Sequence, residues 1–126
     1  MARYRRLSML LAVSGLVSSG SEAQDAATIA DIRCVIIGMQ LSAVTNSPQQ
    51  TQGIVLTWYY IGRLDGRMPK LDIESLLIEE TSRMTSSDYS SETKRCGAAL
   101  AAKGQQVNKI GKDLIEREKK TSGQSK

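Results

Sequence analysis

Ser91-Glu92-Thr93-Lys94 sets a hydroxyl and an amine one helical turn apart, and Lys120-Thr121-Ser122-Gly123 loosely adds a second lysine-threonine element near the chain end. In that order the residues could build a serine nucleophile activated by a lysine base, the chemistry of acyl transfer. Such a site needs a scaffold with a sheet and a walled pocket, and this chain offers neither strand alternation nor the length. The sequence contains no histidine, which removes the commonest general base and metal ligand. Two cysteines without histidine make a poor zinc set, and neither a calcium-loop spacing nor a phosphate-cradling glycine loop is present. The expectation is a chain that is not an enzyme and takes no cofactor and no metal. The alternative is a small hydrolase using Ser91 and Lys94.

Cys34 and Cys96 are the only cysteines. Their partnership depends on compartment, and the first residues speak to that. Arg3, Arg5 and Arg6 precede an apolar run from Leu7 to Val17, followed by small polar residues and Ser21-Glu22-Ala23. This is the three-part pattern of a secretory signal peptide over residues 1–23, with cleavage expected after Ala23. The apolar run is about half the roughly 20 residues a spanning helix needs, so no membrane anchor is expected after cleavage. An even cysteine count in an exported chain predicts a Cys34–Cys96 disulfide in an oxidising, periplasmic or extracellular setting.

Removing the signal also removes Arg3, Arg5, Arg6 and Glu22, which leaves fourteen basic and twelve acidic side chains, a net charge of +2. The basic residues alternate with acids and form no stripe, so a nucleic-acid partner is not expected. One small domain, residues 24–120, is predicted, with a polar, disordered tail over 121–126. With no phenylalanine, its core rests on Leu, Ile, Val, Met and Ala.

The densest cluster of anchoring residue types is Thr57 to Asp72, TWYYIGRLDGRMPKLD. Trp58 falls with Ile54, Val55 and Ile61 and is expected in the core. Tyr59 points toward Arg63, where a cation–π contact is expected. Asp65 opposes the helix dipole and pairs with Arg67 or caps the turn, unless Tyr59, Arg63, Asp65 and Arg67 form an exposed corner that a partner reads.

Four helices are predicted to position these residues. The first runs from Asp25 to about Val44, with Ile32, Val35, Ile36, Met39 and Ala43 on one face and Cys34, Ile37 and Leu41 on a flank. The second starts at a Ser47-Pro48 cap with Gln50 completing a capping box, and ends at Asp65-Gly66. Being apolar most of the way round, it is expected to be the central helix. Asp72 caps a third helix that carries Ile73, Leu76, Leu77 and Met84 inward. Thr85 to Asp88 opens a long fourth helix to Lys120, buried along Tyr89, Cys96, Leu100, Val107, Ile110 and Leu114. Its Gly97, Gly104 and Gly111 recur at heptad spacing, where small residues admit another backbone, unless Gly104 divides the helix in two. Glu79-Glu80 reads as a solvated face.

The segment W-Y-Y-x-G-x-x-D-G, Trp58 to Gly66, then Pro69 and a capped helix, in a short exported helical chain with two cysteines, resembles two groups of small periplasmic proteins. One is the immunity proteins that neutralise type VI secretion amidases. The other is the acid-stress periplasmic chaperones, which are helical and carry a single disulfide. The resemblance implies a non-catalytic protein that binds another protein. A structural envelope component is the remaining alternative.

Overall fold

A computed structural model of the chain describes residues 20–123, and the expected signal sequence therefore lies outside the described residues except for its last few positions. The architecture is an all-α bundle of four helices joined by one disulfide: α1 (Gly20–Ser42), α2 (Pro48–Arg67), α3 (Ile73–Arg83) and α4 (Ser86–Gly123). No strand occurs among the described residues. α1 begins at Gly20, upstream of the expected Asp25, so the expected cleavage point after Ala23 falls in its first turn.

The helix starts follow their caps. The Ser47 hydroxyl accepts from the Gln50 amide, Pro48 takes the first helical position, and the Gln50 side chain accepts from the Asn46 amide. Asn46 has φ 59°, a left-handed conformation that its short polar side chain tolerates and that turns the chain between α1 and α2. Asp72 caps α3 by accepting from the Ser75 amide. Thr85 and Asp88 form a reciprocal box at the start of α4, each side chain accepting from the other's amide.

The central helix is α1, which packs against α2, α3 and α4, and not α2 as its apolar circumference suggests. The reason lies in two glycines. Gly38 on α1 and Gly53 on α2 meet where the helices cross: a Cβ on Gly53 would overlap the Ser42 amide and come 2.5 Å from the Gly38 carbonyl, and one on Gly38 would overlap the Thr57 side chain. That contact turns Gly53, Leu56, Tyr60 and Leu64 inward. The expected face of Ile54, Val55 and Trp58 consequently points away from the core, and Trp58 is 70 % exposed.

Two further expectations are corrected. α2 does not stop at Gly66, which keeps a negative φ; it continues to Arg67 and is capped by the Met68 amide donating to the Leu64 carbonyl. α4 is unbroken at Gly104 and runs through Gly123, so Thr121 to Gly123 of the expected tail are helical and the last three residues lie outside the described ones. Its inner end packs through Tyr89, Cys96 and Leu100, but Val107, Ile110 and Leu114 are exposed, because among the described residues no other element reaches that far. At about 57 Å the helix is far longer than the body it leans on.

Candidate functional site

Residues 30–34 of α1 hold the other three helices. Asp31, 3 % exposed, receives Arg67 at 2.6 Å and Arg63 at 3.2 Å from α2. Arg33 reaches Glu80 of α3 at 2.9 Å and Glu92 of α4 at 3.6 Å. The Ala30 carbonyl accepts from Arg95, and Cys34 is bonded to Cys96. Arg95 also lies 3.1 Å from the Cys34 sulfur and 2.6 Å from Glu92. Glu80, read from sequence as solvated, is 2 % exposed because Arg33 and Arg83 both pair with it, which holds the Arg33 guanidinium above its ordinary pKa. Cys34, Glu92 and Cys96 cluster closely enough to suggest a metal set, but both sulfurs are consumed by the disulfide.

Against this frame, the residues singled out in the second helix divide in two. Tyr59, Arg63 and Arg67 share the side of α2 that borders α1. The Arg63 guanidinium lies over the Tyr59 and Tyr60 rings, 5.8 and 5.3 Å from their centroids, and the rings meet edge to face at 5.0 Å. Both arginines are thus engaged with Asp31 in the same chain. Asp65 is not brought to this cluster. Seven residues beyond Trp58, it continues the outer stripe of Ile54, Trp58 and Gly62, and nothing stands within 4 Å of where a Gly62 side chain would be. Trp58 was missed as a surface residue because two apolar stripes compete on α2. The deciding signal is the Gly53-Leu56-Tyr60-Leu64 series, whose first member is legible only beside Gly38.

Ser91 and Lys94 sit exposed on one face of α4, and the Ser91 hydroxyl donates to the Asp88 carbonyl at 3.1 Å. Neither lines the hollow between α1 and α3 or the one between α2 and α4. The larger hollow, about 540 Å³, opens between α1 and α3 over Ile36, Met39, Leu77 and Ile78. The smaller, about 240 Å³, lies where Leu41 and Leu56 face Gly97 and Leu100. Among the described residues no helix is long and apolar enough to cross a membrane. No family model, curated protein or solved structure matches the chain.

Proposed function

We propose that this is an exported, non-catalytic protein that works by binding another protein, as an inhibitor of the immunity kind or as a chaperone, with Trp58 as its anchor. The observation that carries the reading is the 70 % exposure of Trp58 in the middle of a well-packed helix, beside exposed Ile54 and Val55. A rigid indole held out of the core costs little entropy to bury, and tryptophan is among the residues that dominate binding energy at interfaces. Asp65 at the end of the same stripe gives it a polar rim. Arg63 and Arg67 brace the stripe from behind through Asp31, with the Tyr59 ring beneath Arg63. The amino-terminal leader pattern and the Cys34–Cys96 disulfide support the export part of the reading.

The experiment is capture from a periplasmic extract with wild-type protein and with Trp58→Ala. Trp58 is the only tryptophan, so its emission reports on the site directly. A partner should shift that emission to the blue, and the variant should lose capture while melting within about 0.5 kcal/mol of wild type, as an exposed position does. Equal capture by both proteins overturns the assignment. A single captured species marks an inhibitor, and many unfolded clients mark a chaperone.

A further inference from the structure

We infer that the Cys34–Cys96 bond is a site of reversible thiol exchange, in which an incoming thiolate attaches to Cys96 of α4 and Cys34 of α1 departs as the thiolate. Both sulfurs are fully buried, so burial opposes a thiolate on either alike and the neighbouring charges decide between them. Those charges are unequal. The Arg95 guanidinium stands 3.1 Å from the Cys34 sulfur, whereas the Cys96 sulfur has the Glu92 carboxylate 4.0 Å away. A guanidinium in contact favours the thiolate on Cys34, and a carboxylate opposes it on Cys96. Arg95 is held in place from two other sides, donating to the Ala30 carbonyl at 2.7 Å and to Glu92 at 2.6 Å. Arg33 of α1 completes the charge around the bond, pairing with Glu92 at 3.6 Å and with Glu80 of α3 at 2.9 Å. α2 brings Tyr60 within electrostatic reach of Arg95, its phenol held above the ordinary pKa by burial and therefore neutral.

Space beside the bond points the same way. Thr93 and Leu100 lie one turn to either side of Cys96 on the same face of α4, and with Gly97 they line the smaller hollow, about 240 Å³. A Cβ on Gly97 would meet nothing within 4 Å. An incoming group on Cys96 therefore has room beside α4. A thiolate RS⁻ attacks the Cys96 sulfur, the S–S bond breaks, and its electron pair goes to Cys34. The products are an RS–Cys96 mixed disulfide and a Cys34 thiolate paired with Arg95. Attack by Cys34 on Cys96 in the reverse direction expels RS⁻ and restores the bond. With a dithiol, the second thiol instead attacks the sulfur of the R group, the dithiol is oxidised to its own disulfide, and Cys96 leaves and takes a proton from water. Arg95 sets which sulfur leaves, and so on which helix a thiol-bearing molecule is carried.

The exchange site is independent of the Trp58 stripe, which lies on another helix. Its test treats the purified, disulfide-intact chain with reduced glutathione in native buffer at neutral pH, quenches early with N-ethylmaleimide and maps the peptides by mass. Glutathione is expected on Cys96 and the maleimide on Cys34, by about tenfold over the opposite pattern. Arg95→Gln should lose that preference and exchange about threefold or more slowly, and Arg95→Lys should restore both in part. A substitution that merely loosened α4 would uncover the bond and speed exchange, so the direction of the change separates the two roles. The wild-type map stands whatever the stability of the variants. Glutathione found mainly on Cys34 or equally on both cysteines overturns the inference. So does a bond that exchanges only in denaturant, or Arg95→Gln protein that exchanges as fast as wild type.

Discussion

Among the described residues Asp31 is the buried carboxylate that faces α2, and both cations that pair with it come from that helix. Replacing it with asparagine keeps the shape and removes the charge, leaving Arg63 and Arg67 without their counter-ion. Because both arginines are about two-fifths exposed, water takes over much of their solvation. The expected loss is therefore about 1–2 kcal/mol, below that of a fully buried pair. Chemical denaturation of Asp31→Asn measures it, and a cycle with Arg67→Ala isolates the coupling. Two exposed aspartates act differently. The Asp72 carboxyl is held below its ordinary pKa by the Ser75 amide and hydroxyl, and the Asp88 carboxyl by the amide and hydroxyl of Thr85. A carboxyl that titrates lower when folded stabilises the fold above its unfolded pKa, and that stabilisation disappears as pH falls through the folded pKa. Melting temperature should accordingly fall on acidification below about pH 4. The Asp72→Asn and Asp88→Asn double variant, whose caps no longer titrate, should fall less steeply over the same range.

At the scale of helices, the glycines sort themselves by what stands opposite them. Gly53→Ala forces a methyl onto the backbone of α1, which cannot give way as a flexible side chain would, so a loss of about 3 kcal/mol or more is expected in urea melts. Gly104→Ala meets open space within the chain and should raise helix content, with a gain of roughly 0.5–1 kcal/mol for that segment, read at 222 nm. The contrast explains what the sequence showed and what it withheld. All four helices were legible, because three- and four-residue periodicity and the Ser47, Asp72 and Thr85 caps are local signals. The inward face of α2 was not, because Gly38 and Gly53 have meaning only as a pair across a contact the sequence does not print. Burial of Val107, Ile110 and Leu114 was misread for a related reason: periodicity finds an apolar face but not whether the same chain covers it. Of the TWYYIGRLDGRMPKLD cluster, the Tyr59–Arg63 contact was foreseen from spacing, while the Arg63 and Arg67 pairing to Asp31 was hidden by separations of more than thirty residues.

Across the whole molecule, α4 is held to the body by few side chains, and the Cys34–Cys96 bond spans a sequence separation of 62. Closing a loop of that size restricts the unfolded chain by about 4 kcal/mol in the chain-entropy account, a large share of the stability of so small a core. Reduction by a dithiol should lower the melting temperature sharply, and hydrogen exchange should show the amides of α4 opening before those of α1 and α2. Equal opening of all helices would mean that the disulfide holds no element more than another. The glycine crossing between α1 and α2 bears also on the order in which the chain is built. Asp31, Gly38, Gly53 and Arg67 all lie within one helical hairpin, whose loop closes quickly, whereas Cys96 must return from much further along the chain. The hairpin is therefore expected to form before the disulfide closes. On that order a newly made chain should pass through a finished pair of helices whose Cys34 thiol is not yet covered by α4, and thiol trapping during refolding should label Cys34 before the Cys34–Cys96 bond appears.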